Sequence, residues 1–258
     1  MDMKISIVMA YFNRKKQLLN TLDSIFRYNH NIEIVIVDDG SNDGYDIKYL
    51  QDIDVVNIIT LKDKTWINPC IPFNVGFTQA TGDAIIIQNP ECLHVGDIVG
   101  SVMRELTEGV YLNYAAYSIG RKSTERLYSG ESIERIISPT VDQRVITFGE
   151  DGWYNHSKYH PTMLHFCSAI MRSDLYDLGG FDERYSDGLG FDDNELLTRI
   201  LKKQMIIKMI DNPSVIHQHH EHLFDGDITP YMERNSLRWQ GTKDNADYDV
   251  KKHNKIFT

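Results

Sequence analysis

The chain has 258 residues, of which 41% are hydrophobic and 25% are charged, and this composition is typical of a globular protein rather than a disordered or fibrous one. Its formal net charge is −10 and no segment carries a basic stripe, so nucleic acid and an anionic membrane surface are disfavoured as main partners. A nucleotide is still compatible with this charge, because a metal ion and backbone amides can hold a diphosphate locally.

Two features of the sequence bear on the compartment. The three cysteines, Cys70, Cys92 and Cys167, form no CxxC or zinc-type pattern, which predicts buried free thiols in a reducing environment. The amino terminus leads straight into the apolar run 5–10 without the layout of a signal peptide, and no apolar run approaches the roughly 18 residues of a membrane span. We therefore expect a cytoplasmic protein without a transmembrane segment.

Short apolar runs alternate with helical patterns in the first half of the chain. The runs predict strands at 5–10, 33–37, 55–61 and 84–88, and the helical spacing predicts helices at 15–28, 71–80 and 96–108. This alternation predicts an α/β fold with a mixed, mostly parallel sheet and helices on both faces. Ligands of such sheets bind where the carboxyl ends of the strands meet.

Polar side chains follow three of these predicted strands. Asn13 and Arg14 come after the first strand, Asp38-Asp39-Gly40-Ser41 after the second and Asn89-Pro90-Glu91 after the fourth. Each has an ordinary interpretation, because asparagine can cap a helix, Asp-Asp-Gly-Ser is typical of a turn, and a loop glutamate is often exposed. Three such loops on one edge of a sheet nevertheless favour a ligand site.

The periodicity fades between residues 114 and 161, where glycine, serine and aromatic residues become frequent. A long irregular stretch in a globular domain is typical of a lid or binding loop, and a flexible segment with its own small strands is the alternative. Trp153, Tyr154 and His156 are the aromatic candidates in this stretch for stacking on a ligand.

Regular patterns return with a predicted strand at 167–172, a short helix from residue 174, a helix at 194–203 and a strand at 206–210. Asp192 and Asp193 stand where helix-capping residues are expected, and acids there are favoured by the helix dipole. The segment Gly188-Leu189-Gly190 before them also suits close approach to a ligand.

Four histidines lie between residues 217 and 222. They are either polar loop residues or ligands, and their density in a chain with ten histidines does not separate the two interpretations.

Taken in order, these motifs resemble those of glycosyltransferase family 2 enzymes with the GT-A fold. The resemblance covers roughly residues 5–222 and is carried by the segments 6–14, 37–41, 72–76 and 80–83. Two later segments, Gly179–Tyr185 and Gly188–Glu195, are similar to the carboxy-terminal motif of β-1,4-galactosyltransferases and polypeptide N-acetylgalactosaminyltransferases. The resemblance implies a single GT-A domain, with a nucleotide-binding half at 1–112 and an acceptor and catalytic half at 113–258.

The resemblance also implies residues that bind the donor and a metal. It assigns the uridine pocket to Ala10, Tyr11, Asn13 and Asp39, and further donor contacts to Asn74 and Asn89. Glu91 stands at the last position of the family's Asp-x-Asp metal motif, with His217 as the histidine that completes the metal shell and His219 as its alternative. The usual paired aspartates are replaced here by Asn89-Pro90-Glu91, which leaves one carboxylate for Mn²⁺ or Mg²⁺.

The implied activity is transfer of a sugar from a UDP-linked donor to a glycan or other hydroxyl acceptor. Asp193 is the implied catalytic base of an inverting reaction, with Asp192 beside it contacting donor or acceptor sugar; a retaining reaction is the alternative. Galactose, glucose and their N-acetylamino forms all stay open as the sugar, and Leu189 stands where relatives place a tryptophan.

Three other functions are compatible with an α/β sheet to different degrees. A nucleotidyltransferase is expected to carry a glycine-rich loop after the first strand, and residues 11–14 contain no glycine. A dehydrogenase is disfavoured because no GxGxxG follows a strand. A catalytically degenerate protein that only binds nucleotide or glycan is the non-enzymatic alternative, motivated by the missing aspartate.

Overall fold

The strands of the molecule form one sheet that runs through both halves of the chain. The structure is a computed structural model and describes residues 3–137, 144, 149–221 and 226–257. Its strands are β1 Ile5–Tyr11, β2 Ile32–Asp38, β3 Val56–Thr60, β4 Ala84–Gln88, β5 Cys92–Val95, β6 Val110–Ser118, β7 Gly152–Asn155, β8 Cys167–Met171 and β9 Ile206–His217. Its helices are α1 Lys15–Phe26, α2 Cys70–Gln79, α3 Ile98–Glu105, α4 Arg121–Tyr128, α5 Ile133–Ile137, α6 Arg172–Leu178, α7 Asp192–Lys202 and α8 Thr229–Thr242.

In the described residues the strand order is β3-β2-β1-β4-β8-β6-β9-β5, with β7 paired to β6. Strands β1 and β2 run parallel to each of their neighbours, and β6 runs parallel to β9. Strands β5, β7 and β8 run antiparallel to the strands with which they pair. The predicted mixed α/β sheet of the GT-A fold is confirmed. Because β1, β2 and β4 are parallel, their carboxyl ends meet at one edge of the sheet.

Strand β1 shows how the sheet is buried on both faces. Its alternating side chains Ile5, Ile7 and Met9 pack in one apolar cluster with α1, while Val8 packs in another with α2. Burial on both faces explains why the parallel strands read as continuous apolar runs in the sequence.

The stretch between residues 114 and 161 is more regular than its sequence indicates. It contains the end of β6, the helices α4 and α5, and β7, while residues 138–143 and 145–148 lie outside the described part. Strand β6 was hidden because all nine of its residues are buried, including polar ones, so no alternation marks its faces. Trp153 of β7 is itself buried and packs edge-on against Tyr117 of β6.

Three further elements differ from the sequence-based expectation. Strand β5 and helix α8 were not predicted, and β9 continues from the predicted 206–210 to His217. Asp192 and Asp193 form the first turn of α7 rather than capping it from outside.

The three cysteines are free and buried, as expected. Within the described ranges, no helix has both the length and the apolar character needed to cross a membrane.

The contact between α2 and β1 gives a test of the packing. A Cβ atom on Gly76 would lie 2.4 Å from Val8 Cγ1 and 3.2 Å from Val37 Cγ2, so Gly76→Ala should lower the free energy of unfolding by about 1–3 kcal/mol. Gly241 near the end of α8 has no described atom within 4 Å of its Cβ position, and Gly241→Ala should raise stability by up to about 1 kcal/mol. Urea unfolding of both variants measures the difference; equal stability of Gly76→Ala and wild type would contradict this packing.

Candidate active site

A cavity of about 480 Å³ opens at the carboxyl edge of β1 and β4. Five residues assigned to the site in the sequence line it: Ala10, Asp39, Asn89, Glu91 and His217. Residues from distant segments complete its wall, among them Phe12, Lys64, Phe166, Leu189, Gly190 and His220. The loops after three parallel strands thus meet the segment before α7 around one space.

The carboxylate of Glu91 is the most buried charge on this wall, with 1% of its side chain exposed. Its Oε2 lies 2.8 Å from Arg14 Nη1, while its Oε1 lies 3.2 Å from His217 Nε2 and 3.6 Å from His220 Nε2. Burial raises the pKa of Glu91, but Arg14 and the two histidines more than offset this and hold the pKa well below its usual range. Glu91 is therefore a carboxylate, paired with a guanidinium on one side and imidazoles on the other.

The turn that carries Glu91 rests on a buried side-chain pair. Gln88 donates from Nε2 to the Cys92 carbonyl at 2.8 Å, and its Oε1 lies 2.8 Å from His94 Nε2. Burial lowers the pKa of His94 to about 3, so the ring is neutral at neutral pH. The Nε2–H tautomer of His94 then donates to Gln88 and fixes the amide that supports the turn.

The structure separates the histidines of the 217–222 run. His217 and His220 face Glu91, whereas His219 lines a neighbouring cavity of about 600 Å³ with its Nε2 3.6 Å from Glu221 Oε1. His222 lies outside the described residues.

Glu91, His217 and His220 form a set of possible metal ligands. One ligand atom from each lies within 4.8 Å of the others. Burial lowers the pKa of His220 to about 3, so its ring is neutral and able to ligate. One carboxylate and two imidazoles fit a transition ion such as Mn²⁺ better than Mg²⁺, which prefers oxygen donors.

Asp39 also lines the cavity and comes directly after β2. Its Oδ2 accepts a hydrogen bond from Lys64 Nζ at 2.5 Å, and its Oδ1 accepts one from Trp66 Nε1 at 2.7 Å. Burial raises the pKa of Asp39, and the bonds from Lys64 and Trp66 oppose that rise. Lys64 Nζ also lies 4.4 Å from the ring centroid of Phe12, so this corner joins a cation, an anion and an aromatic face.

Two other residues expected at the uridine have structural contacts. Asn13 Oδ1 accepts hydrogen bonds from the backbone N–H groups of Asn42 at 2.8 Å and Asp43 at 3.1 Å, which joins the loops after β1 and β2. Tyr11 is buried in the apolar cluster on the α1 side of the sheet.

Asn74 of α2 is bonded to the segment that leads to α7. Its Nδ2 donates to the Phe181 carbonyl at 2.9 Å, and its Oδ1 accepts from the Phe181 N–H at 2.9 Å. Glu183, two residues further along this segment, accepts a hydrogen bond at Oε1 from the backbone N–H of Ile256 at 3.0 Å. The amide of Asn74 thus positions backbone beside the site.

The carboxylates Asp192 and Asp193 lie in the first turn of α7, just after Gly190 on the cavity wall, and are not themselves among the residues that line the cavity. Asp192 is buried and accepts a hydrogen bond from Asn68 Nδ2 at 2.7 Å. Asp193 Oδ1 accepts from the backbone N–H of His165 at 3.1 Å and contacts the Nδ1 of the same residue, while 23% of the Asp193 side chain is exposed. Burial lowers the pKa of His165, so a neutral ring meets the carboxylate.

Arg14, His165 and Lys64 were not assigned to the site from the sequence. Arg14 was noted only as a loop residue, and no local pattern marks His165. The antiparallel register of β4 and β8 pairs Gln88 with Cys167, which brings the residues before β8 beside the Glu91 turn. Long-range strand pairing, rather than sequence spacing, would have been needed to find His165.

The neutral His94 predicts a pH dependence of stability. In the unfolded chain His94 is protonated near pH 6.5, whereas in the folded protein it is protonated only near pH 3. The free energy of unfolding therefore falls as the pH is lowered through this window. The loss should approach about 1.4 kcal/mol per pH unit in the middle of this window, between about pH 5 and 4. Urea unfolding between pH 7 and 4 gives the free energy of unfolding as a function of pH. The slope of this plot should be shallower by this amount in His94→Gln and unchanged in the exposed variant His253→Gln. Parallel curves for wild type and His94→Gln would show that His94 is not buried as a neutral ring.

Comparison with known proteins agrees with this architecture. The sequence model of glycosyl transferase family 2 matches residues 6–179. A search of curated protein sequences gives no significant match.

Solved structures with 14% sequence identity share the fold. The mannosyltransferase PcManGT from Pyrobaculum calidifontis, in complex with GDP-Man and Mn²⁺, has a TM-score of 0.55 over 94% of this chain and 71% of its own. TarS 1-349 from S. aureus has a TM-score of 0.55 over 84% of this chain, and a longer S. aureus TarS chain has 0.59 over 98%. The chain spans 60% and 42% of these two TarS chains, less than two thirds of either.

Proposed function

Because the chain belongs to glycosyl transferase family 2, we propose that it transfers a sugar from a UDP-sugar to a hydroxyl group of a glycan or other acceptor, with inversion at the anomeric carbon. One observation carries the proposal: a single cavity has the Asp39 corner, Glu91 with two histidines, and Leu189 and Gly190 of the segment before α7 on its wall. These three groups correspond to a nucleoside site, a diphosphate site and an acceptor site. Residues 1–112 then form the nucleotide-binding half and residues 113–258 the acceptor and catalytic half.

The contacts of Asp39 support uridine as the nucleoside. Asp39 and Lys64 both line the cavity, and Trp66 uses its single N–H to hold Asp39 Oδ1. An Asp39 oxygen has a further lone pair that can accept from the N3–H of uracil, and Lys64, which gives one of its three N–H groups to Asp39, can donate another to a uracil carbonyl oxygen. The resemblance that assigns Asp39 to the uridine pocket supports the same base here.

The base preference can be measured directly. Calorimetry with Mn²⁺ should give UDP tighter binding than GDP. Lys64→Met should weaken UDP binding by about 1–3 kcal/mol, because one polar group of the base is left without a partner. Tighter binding of GDP than UDP would exclude uridine, and no binding of either nucleotide would exclude a nucleotide-sugar site.

Glu91, His217 and His220 are the residues that would hold a divalent ion, and their donor atoms favour Mn²⁺ over Mg²⁺. When bound, the ion would neutralise negative charge on the leaving diphosphate. His219, the alternative ligand in the sequence, lines the neighbouring cavity instead.

Asp193 is the proposed catalytic base. With Oδ1 engaged by His165, its Oδ2 is the oxygen that remains for an acceptor hydroxyl among the described contacts. Asp193 takes the proton as the hydroxyl oxygen bonds to the anomeric carbon and the bond to the diphosphate breaks. The similarity of Gly188–Glu195 to the galactosyltransferase motif supports this role, and Asp192, held by Asn68, is proposed to contact a sugar hydroxyl.

Removal of this base gives a direct test. Asp193→Asn should lower the transfer rate by about 10²- to 10⁴-fold, because the amide cannot accept the proton. UDP affinity should stay unchanged. Asp23→Asn, which removes an exposed acid from α1, should be as active as wild type. Rates are measured as UDP release with the donor and acceptor found by screening; full activity of Asp193→Asn would remove it from the base role.

Binding without turnover is the second candidate. The single carboxylate of Asn89-Pro90-Glu91, already paired with Arg14, favours it. UDP binding with no transfer across an acceptor screen would support this alternative. In either case the buried free thiols are compatible with the proposed cytoplasmic location.

A further inference from the structure

Arg14 stands in the wall between two cavities. It lines both the 480 Å³ cavity and the neighbouring one of about 600 Å³. Its Nη1 bonds Glu91, and its Nε is buried without a hydrogen-bond partner among the described residues. An unpaired buried donor is costly, so the guanidinium carries hydrogen-bonding capacity that Glu91 does not use.

The charges around Glu91 do not favour a divalent ion by themselves. Glu91 is the one carboxylate of the set Glu91, His217 and His220, and Arg14 already neutralises it. An ion of charge +2 added here brings the summed charge of the ion, Glu91 and Arg14 to +2. Like charges this close repel, most strongly where water is excluded.

A diphosphate supplies the missing negative charge. Its oxygens also match the guanidinium, which binds phosphate through two parallel N–H groups. Arg14 can therefore contact Glu91 through Nη1 and a phosphate through its other edge.

We propose that Arg14 couples metal binding to diphosphate binding. In the nucleotide-free protein it occupies Glu91 and weakens the binding of Mn²⁺; with UDP present it holds the diphosphate, and the metal and the nucleotide strengthen each other's binding. This inference rests on the proposed UDP and metal sites. Because the coupling is a free energy between two ligands, UDP must raise Mn²⁺ affinity by the same factor as Mn²⁺ raises UDP affinity.

The test measures binding rather than activity. Calorimetric titrations with Mn²⁺ alone, UDP alone, and each in the presence of the other give the coupling factor, which we expect to exceed about tenfold in wild type. Arg14→Met should bind Mn²⁺ alone about tenfold tighter, bind UDP in the presence of Mn²⁺ about tenfold weaker, and lose most of the coupling. Lys16→Met is the matched control, since it removes a charge two residues away that lies over Tyr128 and lines only the neighbouring cavity. It should behave as wild type.

A second variant separates charge from geometry and replaces Arg14→Met if that variant does not fold. Arg14→Lys keeps the positive charge but loses the planar pair of donors, so Mn²⁺ alone should bind as weakly as in wild type while the coupling falls. Unchanged coupling in both Arg14→Lys and Arg14→Met would overturn the proposal, as would equal UDP affinity of wild type with Mn²⁺ and with EDTA. Failure of wild type to bind UDP under any condition would instead overturn the proposed function, so the two failures are distinguishable.

Discussion

A buried carboxylate needs partners, and the partners of Glu91 join three separate parts of the sheet. Arg14 follows β1, Glu91 follows β4, and His217 ends β9 in register with Cys92. Gln218 reinforces the junction, because its Nε2 donates to the Glu91 carbonyl at 3.0 Å and its Oε1 accepts from Asn20 of α1. The cost of leaving any of these groups unpaired in the interior therefore fixes the strand ends around the cavity.

The segment that leads into α7 is held by hydrogen bonds between buried side chains and its backbone. Asn74 bonds both polar groups of Phe181, and Asn254 donates from Nδ2 to the carbonyls of Gly179 and Phe181. These bonds fix the segment that leads into α7. Asp193, in the first turn of that helix, keeps 23% of its side chain exposed, whereas Asn74 and Asn254, which hold the segment, are buried.

The sequence predicted the first half of the fold well, because β1, β2 and β4 are continuous apolar runs that end in polar loops. It failed for β6, whose uniform burial removes the alternation by which a strand is recognised. The predicted polar loops do meet at one edge, and Asp39 and Glu91 both line the cavity there. What the sequence could not supply were pairings across long separations, such as Glu91 with Arg14 or Asp193 with His165, because no local periodicity encodes them. For the same reason the helical position of Asn74 gave no sign that its amide is bonded to Phe181.

The pairing of Arg14 with Glu91 also bears on how the protein is made. In many metalloproteins the ligands repel one another until the ion arrives, so folding waits for the metal. Here a guanidinium already balances the buried carboxylate. A metal ion at the proposed site would therefore not be needed for the newly synthesised chain to reach its native state.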